Sequence, residues 1–237
     1  MSTKERISLR TKRALRHIRP THLATKFAVS RTVKDFAEKV GLVYFGYVDQ
    51  KDDDHRLVRG YTVSATHQDN YYSIGSIRGY DVMLVIRNDV VTIPGKNKPR
   101  RCHWLIATID LHTSADLPYF YIGNKTDIET YRSAYKMTTP LRFGVFGQYP
   151  QSFVNNYVPY GEPGRAIEIE KFLSPDIAEV IARDFSKISI ELDEGTLYLY
   201  MECQRPRESV LDMVVSDGLW LAAALDAKAM PQKIVQE

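Results

Sequence analysis

Cysteine is nearly absent: Cys102 and Cys203 are the only two in 237 residues. So sparse a pair makes no disulfide framework, and a reducing, cytoplasmic setting is the simpler expectation. No apolar run approaches the ~20 residues a membrane helix needs. The richest, residues 219–225, is seven long and reads as a core helix. The amino-terminal stretch has no apolar core, which argues against a cleaved signal peptide. Also missing are GxGxxG, the P-loop, HExxH, CxxC and the GxSxG elbow. The commonest nucleotide-dependent, zinc and serine-nucleophile enzymes are therefore disfavoured, and no cofactor is expected. An SxxK match at residues 133–136 lacks every partner motif of the serine–lysine enzymes.

What is present is a globular composition, 44% hydrophobic, with an uneven charge. Residues 1–20 hold seven Lys and Arg against one acid, so they carry +6 of a net +3 and the remaining chain carries −3. Within them Ile7, Thr11, Ala14, Leu15 and Ile18 fall on one helical stripe, and Pro20 is expected to end that helix. The chain divides on this reading into a basic arm (1–24), one α+β domain (25–230) and a tail (231–237). If the domain has two lobes, the loop-like segment 149–165, with three prolines and two glycines, is their boundary.

Ser30 reads as an N-cap before Val33, Phe36, Ala37 and Val40, with Gly41 as the stop. The period then changes to two. Strands are expected at 42–48, 57–65, 71–76 and 80–87, and at 103–112, where Leu105, Ala107, Ile109 and Leu111 face one way. Two further short strands are expected at 118–123 and 141–147, with a helix candidate at 126–136 between them. The last third reads as helix, hairpin, helix. Ser174 and Pro175 open the first helix, and Ile177, Val180 and Ile181 form its buried face. Asp193-Glu194-Gly195 turn the hairpin. A long helix from about Arg207 carries Leu211, Val214, Val215, Gly218, Leu219, Ala222 and Leu225 at 3.6 spacing. The expected class is α+β: a mainly antiparallel sheet packed by the long C-terminal helix. No alternation of strand and helix supports a doubly wound parallel sheet.

Candidate chemistry is thin. Asp52, Asp53, Asp54 and His55 break the alternation of a calcium loop and read as the turn between two strands. Asp110 and His112 are two apart in a strand, as are His67 and Asp69, so each pair would share a face. If the two pairs met, they would make a metal-assisted hydrolase. Cys102 beside Arg101 reads as a buried thiol. Arg10, Lys12, Arg13, Arg16 and Arg19 of the arm, with Lys96, Lys98, Arg100 and Arg101 of a basic turn, are candidates for binding. Their partner is expected to be another protein; nucleic acid or an anionic membrane surface is the alternative.

Residues 41–61, 79–87, 103–112 and 189–225 together resemble uncharacterised proteins of the Saccharibacteria, a group of small epibiotic bacteria. The resemblance implies a bacterial cytosolic protein of unassigned activity and transfers no catalytic residue. The leading expectation is a non-enzymatic interaction module.

Overall fold

The computed structural model describes residues 20–46, 68–91, 98–114, 116–126 and 138–229. The helix expected at 7–18, the Asp52–His55 turn, the strand at 57–65, nearly all of the helix candidate at 126–136 and the tail lie outside the described residues.

Among the described residues nine strands form one sheet: β1 (Val43–Gly46), β2 (Gln68–Ile77), β3 (Tyr80–Val91), β4 (Arg100–Asp110), β5 (Phe120–Asn124), β6 (Thr139–Pro140), β7 (Tyr157–Gly161), β8 (Ile188–Asp193) and β9 (Thr196–Glu202). Their order is β1-β2-β3-β4-β9-β8-β5-β7-β6, and every pair is antiparallel. Five helices accompany it: α1 (Pro20–Val40), α2 (Gln151–Asn156), α3 (Ala166–Phe172), α4 (Pro175–Asp184) and α5 (Glu208–Ala229). This is the α+β class that the periodicity predicts, with the long C-terminal helix packed on β4 and β9.

The two hairpins close as their turn residues require. Arg78 and Gly79 both have positive φ (53° and 86°), as do Glu194 and Gly195 (47° and 79°). Two successive left-handed residues match the twist of the strands they join. The helices bury one sheet face. Leu105, Ala107 and Ile109 of β4 and Leu197 and Leu199 of β9 meet Phe36 of α1, Ile181 of α4 and Leu211, Val214 and Leu221 of α5 in one cluster. Each of the larger side chains, the leucines, isoleucines, valine and phenylalanine, contributes about 1.5–3 kcal/mol on burial. Gly218 lets α5 settle closely: a Cβ there would lie 2.7 Å from Ile109 Cδ1 and 2.9 Å from Leu199 Cδ1.

The opposite face differs from expectation. Its β4 residues read as solvated, but Trp104, Ile106 and Thr108 are buried. They join Tyr72, Val85, Tyr121, Tyr198 and Tyr200 in a second, aromatic cluster. Polar groups are buried with it. Glu191 accepts from Tyr200 (2.7 Å) and Tyr119 (3.2 Å), which satisfies a carboxylate hidden from water.

Three local expectations are corrected. Ser30 lies inside α1, and its Oγ meets the Tyr44 hydroxyl at 2.7 Å, so a tertiary contact takes the group that a cap would use. Residues 141–147 are not a strand. Gly144 and Gly147 have φ of 151° and 138°, and the buried Glu170 carboxylate accepts from the backbone N–H of Gly144 (2.7 Å) and Phe146 (3.1 Å). Those amides are thereby withdrawn from strand pairing. The segment 149–165, read as a loop, contains α2, β7 and a single 3₁₀ turn at Pro163–Arg165.

Replacing Gly218 by Leu forces the helix off the sheet. Overpacking of this kind costs roughly 1–3 kcal/mol. Urea unfolding is expected to show a lower midpoint with an unchanged slope.

Candidate functional site

The three described residues of the hydrolase reading, Asp69, Asp110 and His112, do not meet. Asp69 of β2 is buried and grips Arg87 of β3 in a bidentate pair, Nε to Oδ1 at 2.7 Å and Nη2 to Oδ2 at 2.6 Å. Its carboxylate is engaged in structure. Asp110 is exposed at the far end of β4 and accepts from Thr196 Oγ1 at 2.8 Å. Register explains the separation: Arg87 stands opposite Trp104, six residues before Asp110 and so roughly 20 Å away along the strand. His112 does not share Asp110's face, because β4 ends at Asp110. Instead its ring stacks on Tyr80, with centroids 4.1 Å apart, and its Nε2 lies 3.0 Å from the carbonyl of Gly79. His67 lies outside the described residues. Among the described residues no three His, Cys, Asp or Glu side chains gather closely enough to hold a metal ion.

Asp226 of α5 explains where His112 goes. Its carboxylate accepts from the Tyr80 hydroxyl (2.9 Å) and from the backbone N–H of His112 (3.2 Å) and Thr113 (3.0 Å). The helix end is thus tied to the start of β3 and to the chain leaving β4. Burial, and then Asp226, push the Tyr80 hydroxyl up to about 12.

The binding candidates are more informative. Arg10, Lys12, Arg13, Arg16, Arg19 and Lys96 lie outside the described residues. Lys98 and Arg101 are exposed at the end of the sheet where β3 and β4 begin to pair. Arg100 and Arg101 are neighbours in a strand and so point to opposite faces. Arg100 forms an ion pair with Glu202. Arg101 borders a cleft of about 450 Å³ between α1 and the ends of β2, β3 and β4.

That cleft is a candidate site for a partner. Lys26 and Val29 of α1 form one wall; Asn70, Tyr71, Asn88 and His103 on the strands form another. His103 Nδ1 donates to Asn88 Oδ1 at 2.6 Å, which fixes the imidazole against the sheet. The wall carries local strain. Tyr71 sits at a β-bulge with φ of 61°, unusual for an aromatic residue, and its hydroxyl donates to the carbonyl of Lys26 at 3.4 Å. One apolar side chain of the lining stands in water, Val90 at 42% exposed. On the other side of Val29 a second recess, about 700 Å³, runs between α1 and the start of α5, where Arg205 and Arg207 are exposed. This stretch of α1 therefore stands between two hollows of mixed charge, Lys26, Arg101 and Asp89 at one and Arg205, Arg207, Asp35 and Glu208 at the other.

Sequence reasoning missed this site because it started the helix at Ser30. The apolar stripe Val33, Phe36, Ala37 extends back one turn to Val29, which is buried, and that spacing was the available signal. Cys102 is fully buried, as expected. Cys203 is half-buried, and burial raises its thiol pKa.

No family model matches the chain, and no curated protein matches it. Among solved structures the chain is similar in fold to the mycobacterial trehalose monomycolate transport factor A, TtfA. The TM-score is 0.58 at 13% identity, over 86% of this chain and 97% of that one. At that identity the likeness shows the fold alone.

Two outcomes follow from the buried carboxylates. Asp69→Asn leaves Arg87 buried without its counter-charge and is expected to cost about 3–5 kcal/mol in chemical denaturation, whereas replacing both residues by apolar ones of similar size restores much of the loss. Asp217 of α5 has a buried Oδ2 with no hydrogen-bond partner, and burial, then the nearby Asp184, push its carboxyl up to about 6. A carboxyl raised in the folded state binds its proton more tightly there than in the unfolded chain. Stability therefore falls as pH rises through roughly 4 to 6, and the cost is complete above that window. Because the group is only partly buried, water screens some of it. Asp217→Asn is expected to raise the Tm at pH 8 by roughly 2–4 °C and to leave it unchanged at pH 4, measured by calorimetry.

Proposed function

We propose that this chain is a non-enzymatic interaction module that binds another protein through the cleft beside α1. The observation that carries the reading is that cleft, where the half-buried Tyr71 and the exposed Val90 stand with Lys26 and Arg101. Aromatic and arginine side chains that anchor in a partner's pocket supply most of the energy of protein interfaces, while the surrounding polar groups exclude water. The dispersal of Asp69, Asp110 and His112 supports the same reading. So does a likeness in fold to a transport factor, which is in keeping with a scaffold that need hold no catalytic centre. A cytoplasmic location and kinship with uncharacterised Saccharibacteria proteins belong to this proposal. Nucleic acid is the second reading, favoured by the same cations with the basic arm.

A photo-cross-linking residue placed at Val90, and separately at Glu194 on the far end of the sheet, tests the proposal in a native extract. A discrete protein adduct is expected from position 90, absent from position 194 and lost on Arg101→Glu. Adducts that nuclease removes would move the assignment to nucleic acid. Equal labelling from both positions would overturn it.

A further inference from the structure

A second groove lies on the aromatic face of the sheet, at the end opposite the cleft. It encloses about 270 Å³. Its rim is acidic. The register that sets Val82 against Ile109 places Asp81 and Asp110 across from one another on β3 and β4. Like charges directly opposite in a sheet are destabilising, so this arrangement has a standing cost unless a positive group sits between them. Neither carboxylate makes an ion pair with a described residue, and no lysine or arginine lines the groove. Asp110 is held in place by Thr196, which donates to it at 2.8 Å.

The interior supplies a second, independent sign. Thr108 is 4% exposed and lines the groove, yet its hydroxyl has no hydrogen-bond partner among the described residues. The little surface it keeps opens into the groove, where a ligand can meet the hydroxyl. Beside it lie Met83 and the ring of Tyr198, which stacks in parallel with Tyr200 at 6.2 Å. Burial, and then Glu191, Asp193 and Asp110, raise the Tyr198 hydroxyl to about 12.

This combination selects among cations. A divalent metal ion requires several ligands around one centre, and no such group of three exists among the described residues. An alkyl cation has different needs: an apolar wall for its methylenes, an aromatic face, and carboxylates at the mouth for its head. We propose that this groove binds the head and stem of an alkyl cation, an ammonium or guanidinium group of the lysine or arginine kind, with its charge between Asp81 and Asp110, its methylenes on Met83 and Tyr198, and a hydrogen bond to Thr108. Two sources carry that chemistry: a free aliphatic diamine, or a basic segment such as residues 1–19 of this chain, which hold seven Lys and Arg. The proposal does not depend on the protein-binding reading, which concerns the opposite end of the molecule.

Cadaverine titrated into the full-length chain, followed by backbone amide shifts, tests it. Saturable shifts are expected at residues 81–83, 108–110 and 196–198. Asp81→Asn is expected to weaken binding at least ten-fold; Asp81 is exposed, so its loss leaves the fold intact, which an unchanged Tm verifies. Asp110→Asn should do the same. A full-length variant with Arg6, Arg10, Lys12 and Arg13 changed to Gln distinguishes the sources. If it binds cadaverine at least ten-fold more tightly than the native chain, the basic segment is the natural occupant. If the two bind equally, the occupant is a free amine. The proposal is overturned if neither chain gives saturable shifts, if Asp81→Asn leaves them unchanged, or if calcium produces the same shifts.

Discussion

β4 and β9 run through the middle of the sheet with both of their faces hidden from water, and this double burial constrains everything around them. Side chains alternate along a strand, so each of these two must serve two cores at once. Toward the helices they present Leu105, Ala107, Ile109, Leu197 and Leu199, which only apolar partners can cover. Away from the helices they present Trp104, Ile106, Tyr198 and Tyr200, which pack together while the Tyr200 hydroxyl donates to the Glu191 carboxylate. The Arg87–Asp69 pair belongs to that second layer. A buried ion pair gives little net stability but penalises any register that separates its members. Because a slip by one residue would exchange the two layers, the pairing of β2, β3 and β4 is fixed twice over.

The same register divides charge along the strand axis. Lys26, Arg101, Arg205 and Arg207 line the hollows at one end, with Asp35, Asp89 and Glu208 among them. Asp81, Asp110, Asp193 and Glu194 gather at the hairpin turns of the other end. A net charge of +3 conceals this polarity. A molecule so divided orients an approaching charged partner before contact, and salt weakens that steering.

Elements whose signals are local were legible in the sequence. The β2–β3 and β8–β9 hairpins followed from strand alternation around Arg78-Gly79 and Glu194-Gly195, and α5 followed from its unbroken apolar stripe. What escaped depended on partners distant in the chain. Ser30 looks like a cap until Tyr44 is placed against it. His112 looks like a companion of Asp110 until Asp226, more than a hundred residues on, draws the backbone away. Residues 141–147 have the composition of a strand, but a carboxylate on α3 claims their amides. The polar side of β4 reads as wet because no local pattern announces a second aromatic layer. The cleft was invisible for the same reason: its walls come from α1 and three strands, and no motif spans them.

The grip of Glu170 on residues 144 and 146 is made through main-chain amides, so the loop keeps its path without help from the side chains at its crest. Val145 and Phe146 stand in water, 67% and 48% exposed, and contribute little to holding that path. Evolution is free to rewrite those two positions, and an engineer could graft a short recognition sequence there, while the scaffold beneath stays as it is.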